Sequence, residues 1–321
     1  MRRPPSSRTV KGVPRALVWP LYGVLVVIWS STWVAIKIGL EDTPPLLGAG
    51  LRFALAGVAL LVVASAWGRG RASARARLRT DPVLAGTLAL LPFATTYGLI
   101  YWGEQYVPSG LAAVLFGVLP LYSAALVAVA LREEPLSRRL LFGITVAIAG
   151  VALAFSESVE LGDARWAAPA AVACAIAPMA AAVGTIAQKR RGARLDAVAL
   201  NGWAMLAGGV LLLAASAISE DWARAAWSAA SVGSIAYLAA FGSAIAFVLL
   251  SLLIRELPAV TMSCIALVLP FGALAFGAAI YGEALTLPAV AGAALVAGGL
   301  ALSQWPGRRA AAAGVSGRGS G

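Results

Sequence analysis

The sequence predicts an all-α polytopic membrane protein with ten transmembrane helices, arranged as two inverted five-helix repeats. Three observations support this prediction. Of the 321 residues, 60% are hydrophobic and only 12% are charged, about half the charged share of a soluble domain. The apolar residues form runs long enough to cross a bilayer. Landmarks in the first half of the chain recur at a constant spacing in the second half.

The predicted spans follow one another with short junctions that hold nearly all the charge. After a cytoplasmic N-terminal segment at 1–15, the first repeat (16–156) contains the spans 16–38, 45–67, 82–103, 107–131 and 139–156. The second repeat (166–305) contains the spans 166–188, 197–218, 229–254, 258–281 and 287–305. The first run is too long for a cleaved signal peptide. The tail 306–321 is small and polar, and we expect it to be disordered and cytoplasmic.

The distribution of basic residues predicts the orientation of the chain. With the N-terminus inside, 21 of the 25 basic residues fall in cytoplasmic segments. Only Arg165 and Arg224 lie in outer loops, and Lys37 and Arg52 lie within spans. The positive-inside rule therefore places both termini in the cytoplasm and the protein in the plasma membrane. The net charge of +11 reflects this orientation and contacts with anionic lipids, so we expect no nucleic-acid partner.

The repeat rests on matched landmarks in the two halves. Pro108 and Pro120 align with Pro258 and Pro270 at an offset of 150 residues. After a one-residue gap the offset is 149, and it aligns these pairs: Glu134 with Glu283, Gly143 with Gly292, and Gly150 with Gly299. Because each half has an odd number of spans, the second half enters the membrane inverted. Inverted repeats are typical of secondary transporters, whose substrate site lies between the halves.

Four segments resemble the drug/metabolite transporter superfamily, EamA branch. They are WSSTWVAIKIGL (29–40), PPLLGAGLRFALAG (44–57), GEQYVPSGLAAVLFGVLPL (103–121) and EEPLSRRLLFGITVAIAGVAL (133–153). The second half repeats the last two as LPAVTMSCIALVLPF and GEALTLPAVAGAALVAGG. The resemblance covers about residues 16–305. It implies ten helices around a central cavity, lined by the first four helices of each half. It also implies export or uptake of amino acids, other metabolites or toxic compounds.

Other classes of function have less support. The chain contains no histidine, which excludes histidine metal sites and Ser-His-Asp chemistry. Cys174 and Cys264 lie in apolar runs and indicate core packing rather than a disulfide or metal site. We expect no cofactor and no enzymatic activity. The predicted function is a secondary transporter, by analogy an exporter, of a small metabolite such as an amino acid or related zwitterion. A channel or a non-transporting receptor or scaffold is the alternative, and an intramembrane enzyme is less favoured.

Charged residues inside spans are candidate functional residues, because burying a charge in a bilayer is costly. Arg52 can bind a substrate carboxylate from the cavity, or it can have a structural role by snorkelling or bonding a helix end. Glu104 can pair with Lys37 or Arg52, or carry a proton. Lys37 is expected to snorkel. Glu134 and Glu283 are expected to cap or tether the helices that follow them.

Polar and aromatic side chains at helical spacing predict the cavity faces. The candidate substrate-binding residues, apart from Arg52 and Glu104, are Trp29, Thr32, Tyr97, Tyr101, Tyr122 and Tyr237. The alternative for the aromatics is an interfacial belt or lipid-facing packing. Pro120 and Pro270 are predicted to kink the fourth and ninth spans beside the cavity. The small residues Gly143, Ala147 and Gly150, with Gly292 and Gly299, can pack inside the bundle or form a homodimer contact.

Overall fold

The computed structural model describes residues 13–66, 80–107, 109–130, 137–154, 164–193, 195–281 and 287–304. Across these ranges the regular elements are helices, with no strand. The first half contains α1 (Arg15–Asp42), α2 (Pro45–Ala66), α3 (Pro82–Gly103), α4a (Ser109–Phe116), α4b (Leu119–Ala130) and α5 (Arg138–Ala154). The second half contains α6 (Ala164–Arg191), α7 (Ala197–Ser219), α8 (Ala229–Glu256), α9a (Ala259–Ser263), α9b (Ile265–Tyr281) and α10 (Leu287–Gln304).

Six of these helices are long and apolar enough to cross a membrane: α1, α2, α3, α6, α7 and α8. Shorter apolar stretches lie at 119–129, 259–272 and 290–302. The helix bounds follow the predicted apolar runs to within a few residues. Glu134 and Glu283, predicted to cap the following helices, lie outside the described residues, as do Pro108 and the tail 306–321.

Two long helices are locally widened at equivalent places. α3 is π-helical over Ala89–Thr96, and α8 is π-helical over Leu238–Ile245. The two stretches are 149 residues apart, which is the offset of the matched glycines. A π turn inserts one extra residue and leaves a main-chain carbonyl without its usual partner. The repeat therefore extends to a feature that hydrophobicity alone does not show.

The fourth and ninth segments are broken rather than continuous. The chain turns at Gly117 and Val118 between α4a and α4b, and Pro120 is the second residue of α4b. A proline is tolerated there because the first N–H groups of a helix have no intrahelical acceptor. In the second half the break falls at Cys264, and Pro270 lies inside α9b. The two matched prolines thus occupy different positions relative to the breaks.

The packing of the helices is symmetric when the two halves are exchanged. α1 packs against α8 and α9b, and its counterpart α6 packs against α3, α4a and α4b. α2 packs on α7, and α5 packs on α10. This is the contact pattern of two repeats related by a pseudo-two-fold axis. It places α1, α3, α6 and α8 around the middle of the molecule.

The α5–α10 contact shows where the small-residue stripe is used. A Cβ added to Gly150 would lie 2.7 Å from the carbonyl oxygen of Gly292, and one added to Gly299 would overlap the carbonyl oxygen of Gly143. Both neighbours are backbone atoms and cannot move aside like a side chain. Of the two alternatives that the sequence left open, the stripe therefore packs within the bundle.

Candidate functional site

A cavity lies between the two halves of the chain. It is lined by side chains of α1, α3, α4a and α4b from the first half and of α6, α7, α8, α9a and α9b from the second. Its volume is about 100 Å³ on a scale where one water needs roughly 10–15 Å³. The described residues that line it include no lysine, arginine, aspartate or glutamate. A ligand in this cavity would meet dipoles and aromatic rings rather than charged side chains.

One side of the cavity is aromatic. Phe247 of α8 makes edge contacts with Trp29 of α1 and Phe93 of α3, with ring centroids 5.4 and 4.9 Å apart. Tyr97, one turn after Phe93, lies 6.3 Å from the same ring. All four rings line the cavity. Aromatic faces of this kind attract cations and pack against apolar groups.

Another part of the wall is polar, and sequence reasoning missed it. Gln188 of α6 and Asn201 of α7 line the cavity although their side chains are 6% and 1% exposed. Both donate an amide N–H to the hydroxyl oxygen of Ser251 in α8, at 2.6 Å. The available signal was weak, because an uncharged amide at or near the end of an apolar run is also typical of a helix end.

Arg52 lies behind the aromatic wall and outside the cavity lining. It is 1% exposed, and its guanidinium is 4.8 Å from the ring centroid of Tyr97 and 5.0 Å from that of Phe53. Its Nε donates to Ser243 Oγ at 2.7 Å, Nη1 to Tyr101 Oη at 3.2 Å and Nη2 to the carbonyl oxygen of Gly242 at 3.1 Å. In this structure Arg52 therefore ties α2 to α3 and α8.

The π turn of α8 explains why an arginine is needed there. In an α-helix the N–H of Ala246 would bond to the carbonyl of Gly242, four residues earlier. Here it bonds instead to the carbonyls of Phe241 and Ser243. The carbonyl of Gly242 instead accepts from Arg52 and, at 3.3 Å, from Nε1 of Trp29. A buried carbonyl without a donor is costly, so these two side chains stabilise the widened turn.

The other predicted residues fall into separate places. Trp29, Thr32 and Tyr97 line the cavity together, and the Thr32 hydroxyl donates to the carbonyl of Trp29. Tyr101 lies against a smaller pocket between α1, α2, α3 and α8. Glu104 follows the last residue of α3, and Lys37 is exposed on α1.

Two further tyrosines predicted to bind substrate lie away from the cavity. Tyr122 donates its hydroxyl hydrogen to the carbonyl of Ala175 at 3.2 Å, which joins α4b to α6. Tyr237 lines a separate surface groove, shares a hydrogen bond of 2.6 Å with Ser31 and stacks on Phe241. Among the described residues, no group of three or more His, Cys, Asp or Glu side chains forms a candidate metal site.

Polar contacts join counterpart pairs of helices at the two ends of the bundle. At one end Asp81, the residue before α3, forms an ion pair of 2.7 Å with Arg191, the last residue of α6. At the other end Ser228, the residue before α8, donates to Asp42, the last residue of α1. The two contacts are counterparts under the repeat, and they lie at opposite ends of α2.

The Asp81 carboxylate also caps α3. It accepts the N–H groups of Val83 and Leu84 at 3.0 and 3.1 Å. The bond from Leu84 and, after it, the positive charge of Arg191 hold the pKa of Asp81 below its usual value, against the effect of desolvation.

A family model establishes what kind of protein carries this cavity. The model of the EamA-like transporter family matches residues 17–156 and again 168–305. The chain belongs to the EamA-like transporter family. It is a multi-pass membrane transporter of small molecules, built from a duplicated domain, as the sequence predicts.

Individual relatives agree with this family membership. The uncharacterized inner membrane transporter YedA of Escherichia coli (strain K12) is 32% identical over 273 residues, which cover 83% of this chain and 85% of that protein. A probable terminal-alkyne amino-acid exporter of Streptantibioticus cattleyicolor is 34% identical over 235 residues, covering 72% and 74%. A solved crystal structure has a TM-score of 0.74 at 19% identity, covers 92% of this chain and 99% of that one, and shows the shared fold.

Proposed function

We propose that the protein is a secondary transporter that moves a small metabolite through the central cavity by alternating access. The observation that carries this proposal is the position of the cavity, between counterpart helices of the two repeats. A site shared by two pseudo-symmetric halves can be exposed to either face when one half rocks against the other. In this scheme the end contacts Asp81–Arg191 and Asp42–Ser228 open in turn.

We further propose that all ten helical segments cross the membrane as inverted repeats, with both termini in the cytoplasm. Six helices have the required length, and the broken or shorter segments complete each half. Breaks such as those at Gly117 and Cys264 are tolerated at membrane depth where neighbouring helices surround them. The distribution of basic residues supports this orientation, and it puts the Asp81–Arg191 contact at the cytoplasmic end.

The proposed cargo is a small amine-bearing metabolite, with an amino acid or related zwitterion as the leading class and export as the direction. The name of the Streptantibioticus relative, an amino-acid exporter, supports this class. The neutral, partly aromatic lining supports a cargo with an apolar body. The small-residue stripe packs inside the chain and therefore gives no support to homodimerisation, which stays a prediction.

The proposal is tested by flux of a labelled amino-acid and amine panel in proteoliposomes. Ala181 lines the cavity, and Met179, two residues earlier on α6, is 47% exposed. We expect saturable flux that Ala181→Phe lowers at least tenfold and that Met179→Phe leaves within twofold. Flux that rises linearly with concentration would indicate a channel. A folded protein that moves no compound would favour the receptor or scaffold alternative.

A further inference from the structure

The hydrogen bonds of Ser251 determine how the two buried amides are oriented. The single hydroxyl hydrogen of Ser251 goes to the carbonyl oxygen of Phe247, 2.7 Å away. The hydroxyl oxygen can then only accept, so Gln188 and Asn201 must both turn their NH2 groups towards it. The NH2 group of Asn201 also faces the carbonyls of Ala197 and Phe247, at 2.8 and 3.3 Å. A flipped amide would place an oxygen against these acceptors.

This orientation leaves two amide oxygens for the cavity. Within the described parts of the chain, the side-chain oxygens of Gln188 and Asn201 have no hydrogen-bond donor. Both side chains are more than nine-tenths buried and line the cavity. Neither oxygen is among the fully buried polar atoms without a partner, so both are accessible from the cavity they line. A ligand that donates N–H groups at this place can therefore form hydrogen bonds to both oxygens.

The surroundings select among possible donors. Among the described residues that line the cavity none is a cation, and the guanidinium of Arg52 lies behind Tyr97 with its three bonds made inside the protein. A carboxylate placed beside the two amide oxygens would face partial negative charge. An ammonium group there would meet both oxygens, and the rings of Trp29 and Phe247, which line the same cavity, attract cations.

We propose that the oxygens of Gln188 and Asn201 form an ammonium-binding subsite, which takes the primary amine of the cargo while its apolar body packs on the aromatic wall. The inference rests on the proposed function, since it names the end of the cargo that the cavity recognises. Ser251 is a positioning residue, because it holds the two amides in the accepting orientation. In the proposed topology the subsite lies near the cytoplasmic end, three residues before Arg191 on α6.

The test uses two ligands that share a charge and differ in N–H donors. 2-Phenylethylamine is a primary ammonium at neutral pH, and its N,N,N-trimethyl analogue keeps the charge and the ring without any N–H. Equilibrium binding of each to the full-length protein in detergent is measured by calorimetry. We expect the wild type to bind the amine at least tenfold more tightly than the trimethyl analogue. Equal affinities, or no binding of either, would overturn the subsite without any variant being made.

Two matched variants test whether Gln188 causes the preference for the primary amine. Gln188→Met keeps the length of the side chain and removes both amide atoms, and we expect it to lower the tenfold preference to less than twofold. Gln105→Met makes the same change at an exposed glutamine after α3 and should keep the full preference. A preference that survives in Gln188→Met would contradict the subsite.

The flux assay separates this inference from the proposed function. Saturable flux without a preference for the amine would support the transporter proposal and contradict the subsite. A preference for the primary amine that depends on Gln188, in a protein that transports no compound, would support the subsite and contradict the transporter proposal.

Discussion

Arg52 illustrates how a buried charge in a membrane helix can have a structural role. Its planar fork reaches a hydroxyl on α8, a hydroxyl on α3 and the carbonyl of Gly242. The face of the guanidinium packs on the rings of Phe53 and Tyr97. Lysine cannot reproduce this arrangement, because its ammonium has no planar fork and needs more solvation.

The structural role predicts a loss of stability when Arg52 is changed. The single ammonium of Arg52→Lys cannot reach Ser243, Tyr101 and the carbonyl of Gly242 together, so we expect the free energy of unfolding to fall by roughly 1–3 kcal/mol. Arg52→Ala removes all three bonds and should destabilise the protein further. Thermal unfolding in detergent, followed by intrinsic fluorescence, measures both. An unchanged midpoint together with a raised KM for the cargo would instead place Arg52 at the substrate.

At this scale the sequence identified some residues and missed others for physical reasons. A charge inside an apolar run is visible, so Arg52 was found, and Trp29, Thr32 and Tyr97 follow from helical spacing. The partners of Arg52 were not predictable, since they depend on a π turn that leaves the carbonyl of Gly242 exposed to a donor. Gln188 and Asn201 carry no charge, and their role depends on Ser251, fifty residues or more away in sequence.

At the scale of the helices, hydrophobicity predicted where elements exist but not where they deform. The apolar runs locate each helix within a few residues. The π stretches of α3 and α8 and the breaks at Val118 and Cys264 leave the apolar pattern intact, so composition does not reveal them. The π stretch of α3 has a local cause in its sequence, because Pro92 lies inside it and lacks an N–H.

Neighbouring glycines on α10 provide a matched test of the α5–α10 contact. A Cβ at Gly299 would overlap the carbonyl of Gly143 and lie 2.7 Å from the amide nitrogen of Ala147, whereas nothing lies within 4 Å of one at Gly298. We expect Gly299→Ala to destabilise the protein by about 1–3 kcal/mol, because the backbones must separate. Gly298→Ala should be neutral or stabilise by up to about 1 kcal/mol, since alanine favours a helix.

The same unfolding measurement compares the two variants, and Gly150→Ala on α5 adds a third. Its Cβ would lie 2.7 Å from the carbonyl oxygen of Gly292, so the repeat predicts a loss similar to that of Gly299→Ala. Equal stability of Gly298→Ala and Gly299→Ala would show that α5 and α10 do not pack this closely in the membrane.

At the scale of the whole molecule, the repeat organises both the cavity and its two ends. When the two halves are exchanged, α1 corresponds to α6 and α8 corresponds to α3. The α1–α8 pair and the α6–α3 pair are each joined at one end by a polar contact. The chemistry of the two contacts differs. Asp81–Arg191 is an ion pair, and Asp42–Ser228 is a hydrogen bond to a carboxylate. The sequence predicted the repeat and the orientation, but the pairing of these particular residues required the packed helices.

The ion pair does not act as a pH switch in the physiological range. The pKa of Asp81 is lowered, first by the N–H of Leu84 and then by Arg191. A carboxyl with a lowered pKa contributes stability at pH values above its unfolded pKa, about 3.9, and loses it as the pH falls through the folded pKa. Protonation of Asp81 therefore does not break the contact between about pH 5 and 8.

Breaking the ion pair should bias the proposed transporter towards opening at the cytoplasmic end. Asp81→Asn removes the charge but keeps a side chain that caps α3 well, so the helix start is preserved. An exposed ion pair contributes little, so we expect a shift of about two- to fivefold in the open population. Arg224→Gln breaks the Asp221–Arg224 pair, which lies within one loop and joins no helices, and should have no effect.

The shift is measured with a cysteine at Thr185, a cavity-lining position of α6, and a membrane-impermeant thiol reagent. Inside-out vesicles report labelling from the cytoplasmic side, and right-side-out vesicles report labelling from the outer side. The native Cys174 and Cys264 are buried, and the chain without the added cysteine provides the background. We expect Asp81→Asn to raise the labelling rate from the cytoplasmic side and to lower it from the outer side, because the two open states compete for one population. An equal rise from both sides would indicate general loosening and contradict alternating access at these contacts.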